Sequence, residues 1–197
     1  DRMEMSTGLG MQLFRAGAPD GQPVILLHGM LDGPAPLQFN QAELIRRGLC
    51  VLAPIRPGFG TSDPIRRVDQ VLDITTRHVE ELIARERLSK PVLLGNLGGG
   101  VFAQVAASRL GRKVGGVVTA AGNVPIRSVA QFNYMAPRQR VVAYTARYAP
   151  KLLPTILRAG IAQVDGAGID DFHMFKRLSF ILSSHAAKVT SFWYLSW

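Results

Sequence analysis

The sequence predicts an α/β fold, a parallel sheet with helices on both faces. Short apolar runs bounded by glycine or proline alternate with stretches of helical period, and strands that alternate with helices pair in parallel through right-handed crossovers. The runs are unbroken, as in strands that are buried on both faces. A length of 197 residues is enough for one core, and 47% hydrophobic with 19% charged residues excludes a disordered chain.

The first strand and helix are predicted within residues 23–48. The run 23–27 is too short for a helix and ends at the turn-forming pair His28-Gly29. A helix is expected over residues 36–47, because its apolar residues share one face and Gly48 provides a stop. Residues 49–53 then form the second predicted strand.

The same alternation continues to residue 123. Helical spacing of apolar residues predicts a helix from about residue 72 to 88, and residues 91–94 form the third predicted strand. After the glycine cluster 95–100, a helix of small residues is expected to stop at Gly111. Residues 114–119 form the fourth strand.

Beyond residue 123 no return to the sheet is recognisable. Two proline-interrupted, arginine-containing stretches precede an amphipathic segment at about 170–188. We therefore predict an α/β core over residues 1–123 and a helical cap or lid over residues 124–197. Because the sheet edge beside residues 114–119 would otherwise be left unpaired, the last strands of the fold are expected to be missing from this chain. The uncharged aromatic tail 191–197 is expected to be covered by a second copy of the chain or by something outside this sequence, and the alternative is that it folds back on that edge.

Two glycine-rich loops follow neighbouring predicted strands. These are His28-Gly29-Met30 and the cluster 95–100, and the loop 57–63 reads Pro-Gly-Phe-Gly-Thr-Ser-Asp. As a set they resemble the α/β-hydrolase family over residues 23–123: an HG oxyanion loop and a strand-elbow-helix that carries the nucleophile. The resemblance implies a ligand site at the carboxyl ends of the strands.

The resemblance places Leu97 where the family has its nucleophile. The elbow frame Gly-x-nucleophile-x-Gly falls on Gly95-Asn96-Leu97-Gly98-Gly99. Gly95 and Gly99 are expected to be structural, because the tight turn leaves no room for side chains there. Leucine has no lone pair with which to attack a carbonyl, so no catalytic residue is predicted. Leu97 is expected to have a positive φ.

An oxyanion-hole geometry is still expected at this elbow. By the resemblance, the backbone N–H groups of Met30 and Gly98 should converge near the start of the following helix, where a carbonyl oxygen or an anion is favoured. The predicted ligand-binding residues are His28, Gly29, Met30, Leu97 and Gly98. The alternative is that the glycines only permit close packing of the helix on the sheet.

The other chemistry-bearing residues predict no catalytic machinery. His28, His78, His173 and His185 are expected to be structural or solvated, and Ser62 is explained by a turn. No dinucleotide fingerprint or phosphate loop is recognised, and no cluster has metal-ligand spacing, so neither cofactor nor metal is expected. The single cysteine, Cys50, excludes an internal disulfide.

The charge pattern favours a solvated arginine-rich surface. Net charge is +9, with +6 of it in residues 124–197, but no basic run is interleaved with aromatic residues, so no direct nucleic-acid contact is expected. Membrane contact is not expected either, because Pro150, Pro154 and Gly160 interrupt the stretch 148–164. With no signal peptide recognised, a cytoplasmic location is expected.

Two functions from different classes remain open. The first is a noncatalytic hydrolase-like domain that binds a small apolar carbonyl or carboxylate ligand. The stretch 28–33 also resembles hydrolase-like domains of bacterial helix-turn-helix regulators, which would make the domain a sensor. The second is an esterase-like serine hydrolase that has lost its nucleophile or whose acid and histidine lie beyond residue 197.

Overall fold

The computed structural model describes residues 1–29, 41–120, 133, 136–152, 155 and 156. The chain divides into two compact units, Asp1–Asn123 and Val124–Trp197. In the described residues of the first unit, six strands form one sheet: β1 (Arg2–Glu4), β2 (Gly10–Gly17), β3 (Gln22–Leu27), β4 (Leu49–Pro54), β5 (Val92–Asn96) and β6 (Gly116–Ala120). Their order across the sheet is β1-β2-β4-β3-β5-β6.

The four strands predicted from the sequence are confirmed as parallel neighbours. β3 pairs in parallel with β4 on one side and β5 on the other, and β5 pairs in parallel with β6. The strand bounds differ by one or two residues from those expected. β6, for example, begins at Gly116 rather than Val114, after a 3-10 turn at Gly111–Lys113.

The N-terminal strands were missed by the sequence analysis. β1 pairs with β2, and β2 pairs with β4, both antiparallel, so the sheet is mixed rather than wholly parallel. The available signal was alternation: Met11 and Leu13 are buried, whereas Gln12 between them is only half-buried. A period of two residues is typical of a strand.

Four longer helices lie in the described ranges: α1 (Gln41–Arg46), α2 (Val71–Arg85), α3 (Gly99–Leu110) and α4 (Pro137–Tyr148). The predicted stop of α3 is confirmed, because Gly111 follows it with a φ of +53°. Residues 36–40 of the first predicted helix lie outside the described residues. None of the helices in the described ranges is long and apolar enough to cross a bilayer.

The core lies between the parallel strands and the two long helices of the first unit. Ile25, Leu52 and Leu93 of the central strands are buried, together with Leu82 of α2 and Phe102 of α3. A further buried cluster is formed by Leu26, Val51 and Ala53, with Leu44 of α1 packed against it, so residues that alternate along β3 and β4 belong to different apolar clusters.

The loop after β4 is tied to β2 by hydrogen bonds. The N–H of Ile55 donates to the carbonyl of Gln12 at 2.8 Å, and the N–H of Gln12 donates to Ser62 Oγ at 2.9 Å. The N–H of Asp63 donates to the carbonyl of Gly10, whose own N–H donates to Asp63 Oδ2 at 2.6 Å. The antiparallel strand that the sequence analysis missed thus positions the loop.

The turn after β1 is fastened to α2. The N–H and the hydroxyl of Ser6 both donate to Glu81 Oε2, at 2.8 and 2.7 Å. The Oγ1 of Thr7 lies 2.8 Å from Nε2 of His78, which is buried. His78 therefore links the turn after β1 to α2 through a hydrogen bond with Thr7.

Stability should fall as the pH drops below 6.5, with His78 as one cause. Burial lowers the pKa of His78 from 6.5 to about 4, so between these values the unfolded chain binds a proton that the folded chain does not. Between pH 7 and pH 5, we expect a His78→Gln variant to lose about 2 kcal/mol less unfolding free energy than the parent. Urea unfolding at the two pH values measures this. Equal losses of unfolding free energy in the variant and the parent would show that His78 is not a cause of the pH dependence.

Candidate functional site

The candidate site lies where β3 and β5 end side by side. Leu27 of β3 is paired with Gly95 of β5, so the loops that follow the two strands start at the same edge of the sheet. One loop begins with His28 and Gly29, and the other contains Leu97. Ligands of open α/β sheets bind at this edge.

Leu97 occupies the tip of a sharp strand-to-helix turn. Its φ is +46°, as predicted, and its N–H donates to the carbonyl of Ala120 at 2.9 Å. Only two other non-glycine residues in the described ranges have a positive φ. The side chain of Leu97 is 39% exposed, so it is not part of the buried core.

Glycine is required two residues before and two residues after Leu97, at Gly95 and Gly99. A Cβ atom on Gly95 would lie 2.5 Å from Cα of Gly100 and 2.6 Å from the carbonyl oxygen of Gly99. A Cβ on Gly99 would overlap the carbonyl oxygen of Leu27 and lie 2.9 Å from the carbonyl carbon of His28. The start of α3 therefore touches the backbone at the end of β3 directly.

The start of α3 carries hydrogen-bond donors toward this edge. The N–H groups of Gly100 and Val101 donate to Leu97 and Gly98 carbonyls at 3.0 and 3.3 Å. For Gly98 and Gly99, no acceptor is found among the residues that the structure describes. Two backbone donors and the positive end of the helix dipole thus lie beside Leu97, an arrangement that favours a carbonyl oxygen or an anion.

His28 is a buried residue of the loop after β3. It is fully buried, its Nδ1 lies 2.7 Å from the carbonyl oxygen of Gly29, and its Nε2 accepts the N–H of Arg56 at 3.1 Å. Burial, followed by the positive charge of Arg56, lowers the pKa of His28 well below its usual value. A neutral imidazole with both nitrogens engaged by the backbone fixes the loop and is poorly placed to act as a general base.

Arg56 is the residue of this site that the sequence analysis missed. It is 4% exposed, and its Nη2 donates to the carbonyl of Gly29 at 2.8 Å. The guanidinium lies over the rings of Phe59 and Phe102, 4.6 and 4.4 Å from their centroids. Arg56 therefore joins the loops after β3 and β4 to helix α3. The signal was a cation directly after the apolar run 49–55 and before Pro57-Gly58.

The other candidate residues lie elsewhere or outside the described residues. Ser62 is buried, and its hydroxyl donates to the carbonyl of Ile55 at 2.8 Å while accepting the N–H of Gln12, so it is engaged in the loop. Cys50 is half-buried in β4, and burial raises the pKa of its thiol. Met30, His173, His185 and the tail 191–197 lie outside the described residues.

A metal site is not formed by the residues that the structure describes. In those ranges, no group of three or more His, Cys, Asp and Glu residues is arranged to hold an ion. The groups that the described residues bring to this edge are the backbone donors at the start of α3, the positive end of the helix dipole and the side chain of Leu97.

A mostly parallel sheet in which a strand, a positive-φ turn and a helix follow one another is typical of α/β proteins with a nucleophile elbow. The sequence profile of the alpha/beta hydrolase family matches residues 24–193, and the chain belongs to this family. No curated protein matches the sequence significantly.

Solved structures share the fold at low sequence identity. A putative aryl esterase from Burkholderia cenocepacia is 17% identical, with a TM-score of 0.75 over 97% of this chain and 71% of that one. An esterase from Exiguobacterium antarcticum is 19% identical, with a TM-score of 0.76 over 97% and 71%. An epoxide hydrolase from Vigna radiata is 13% identical, with a TM-score of 0.77 over 100% and 72%. These similarities establish the fold.

Proposed function

We propose that this chain is a noncatalytic α/β-hydrolase-fold domain that binds a small, largely apolar ligand bearing a carbonyl or carboxylate group. The observation that carries the proposal is Leu97 at the tip of the elbow. Its positive φ and its partial exposure put an apolar side chain in the place from which a nucleophile would attack.

The recognition chemistry in this proposal comes from the backbone. The N–H groups of Gly98 and Gly99 lie at the positive end of α3 and donate hydrogen bonds to a ligand oxygen, while Leu97 contacts the apolar part of the ligand. His28 and Arg56 hold the neighbouring loop in place through the carbonyl of Gly29 and the Arg56 N–H. A sensor role in a bacterial transcriptional regulator is the finer form of this proposal, and it rests on the sequence of residues 28–33.

A charge placed at Leu97 should separate recognition of anions from recognition of neutral ligands. In a thermal-shift screen of hexanoate, benzoate and phenylacetate with their methyl esters, a ligand at 100 times its Kd adds about 2.7 kcal/mol of stability. We expect Leu97→Glu to abolish the shift by the carboxylates and to retain that by the esters, because the new carboxylate repels the anion.

The matched control is Leu97→Gln, which has the same shape without the charge and should retain both sets of ligands. The charge at the start of α3 should itself stabilise the unliganded protein slightly, by about 0.3–1 kcal/mol. Loss of carboxylate binding in both variants would contradict an anion site at the helix start, and an absence of any shift in the parent protein would contradict the proposed function.

Ester hydrolysis is the second candidate function, because two of the fold neighbours are esterases by name. We expect the parent protein to hydrolyse p-nitrophenyl acetate no faster than Leu97→Ala. Leu97→Ser should not create activity, because a serine hydroxyl without a paired base stays unactivated. Stoichiometric labelling of the parent by a fluorophosphonate, mapped by mass spectrometry to residues 95–99, would favour the hydrolase instead.

A further inference from the structure

A small cavity lies between helix α2 and the loop after β4. Its volume, counted as the space open to the centre of a water molecule, is about 10 Å³. A cavity needs about 10–15 Å³ of such space to hold one water, so this one has the size of a single water molecule and is too small for a larger ligand. The side chains that decide its chemistry belong to Met11, Leu27, Arg56, Thr75, His78 and Val79, which all line it.

The hydroxyl of Thr75 is buried without a hydrogen-bond partner among the residues that the structure describes. Thr75 is 4% exposed, and it lines the cavity. Thr76, the next residue of α2, is also buried, but its hydroxyl donates to the carbonyl of Leu72 at 2.8 Å. Thr75 does not make the local bond that its neighbour makes. Because burying an unpaired hydroxyl costs free energy, a partner inside the cavity is favoured.

His78 provides a second polar group at the cavity. It follows Thr75 by three residues, so the two side chains lie on the same face of α2. Its Nε2 is paired with Oγ1 of Thr7, and for Nδ1 no partner is found in the described part of the chain. Burial lowers the pKa of His78 to about 4, so the ring is neutral at pH 7. In a neutral imidazole one nitrogen donates and the other accepts, and water can bond to Nδ1 in either role.

We propose that this cavity binds one ordered water molecule, which bridges the hydroxyl of Thr75 and Nδ1 of His78. Buried waters bond to two to four polar groups, and these two groups meet that requirement. Cavities with only apolar walls exclude water, whereas two polar side chains of α2 line this one. The water fills the space between α2 and the loop that carries Arg56, and it thereby contributes to holding that loop.

A high-resolution crystal structure of the whole chain tests the site directly. We expect a density peak in the cavity within hydrogen-bond distance of both Thr75 Oγ1 and His78 Nδ1. Thr75→Ser keeps the hydroxyl and should keep the peak, whereas Thr75→Val, which has the same shape without the hydroxyl, should lose it. The proposal is overturned if the parent shows no peak in the cavity, or if the hydroxyl of Thr75 instead donates to a carbonyl of α2 as that of Thr76 does.

Stability gives a second test in which the sign of the effect is informative. If the water is bound, Thr75→Val should lower the folding equilibrium constant about fivefold, because the water loses one of its two partners. The matched control is Thr76→Val, which removes a hydroxyl bonded within the helix and should change the constant by less than about twofold. A Thr75→Val variant as stable as the parent, or more stable, would mean that the substitution only removes an unpaired hydroxyl, and the water site would be refuted.

Discussion

Gly99→Ala should destabilise the protein by about 3 kcal/mol or more, although alanine is the better helix former. Intrinsic helix propensity favours alanine over glycine by about 1 kcal/mol. At this position the new methyl group would overlap the carbonyl oxygen of Leu27, and a backbone group cannot rotate away as a flexible side chain can. The steric cost therefore exceeds the propensity gain. Chemical unfolding of the variant and the parent measures the difference.

The matched control for this substitution is Gly116→Ala at the start of β6. A Cβ there meets nothing within 4 Å, and Gly116 is not among the glycines with positive φ. We expect this variant to be stabilised by about 0.4–1 kcal/mol, since the alanine restricts the unfolded chain. Similar effects of the two substitutions would mean that α3 is not packed against the end of β3 as described.

Arg56→Ala should cost about 3 kcal/mol of unfolding free energy. The substitution removes the guanidinium that lies over two aromatic rings. It also removes the hydrogen bond that this group donates to the carbonyl of Gly29. A desolvated cation–π contact contributes about 2 kcal/mol, and a hydrogen bond from a charged group about 1.5–3 kcal/mol. Relief of the cost of burying the charge offsets part of this sum.

Two comparisons separate the contributions of Arg56. Arg56→Met keeps the volume and the contact with the aromatic rings, so we expect about half of the loss. Arg66→Ala removes an exposed arginine ten residues away and should change stability by less than about 0.5 kcal/mol. A loss in Arg56→Ala as small as that in Arg66→Ala would show that the buried guanidinium does not hold the loops together.

The parallel part of the fold could be predicted from the sequence because each element has a strong local signal. The strands are unbroken apolar runs, and Gly111 ends its helix with the positive φ that glycine adopts most easily. The position and the backbone conformation of Leu97 could be predicted through the resemblance to the α/β-hydrolase family, whose elbow glycines meet a steric requirement that the structure shows at Gly95 and Gly99. Steric requirements of this kind restrict the residue type at a single position, so they can be recognised from the local sequence.

Arg56 and the N-terminal strands could not be predicted in the same way, because their roles depend on contacts between distant residues. The surroundings of Arg56 come from residues 28, 29, 59 and 102, which the fold brings together. The pairing of β2 with β4 joins residues 33 to 41 positions apart, and an alternating pattern alone does not say which strand is the partner. The surroundings of a side chain such as Arg56 are therefore known only once the strands and loops are assembled.

The hydrogen bonds between β2 and the loop after β4 have a consequence for local unfolding of that loop. Gly10 and Asp63 exchange two hydrogen bonds, and Gln12 contacts both Ile55 and Ser62. The loop that carries Arg56 therefore cannot separate from the sheet without the second strand of the chain. We therefore expect the two segments to behave as one cooperative unit in amide hydrogen exchange, so that the peptide groups of the loop after β4 are protected for as long as β2 stays paired.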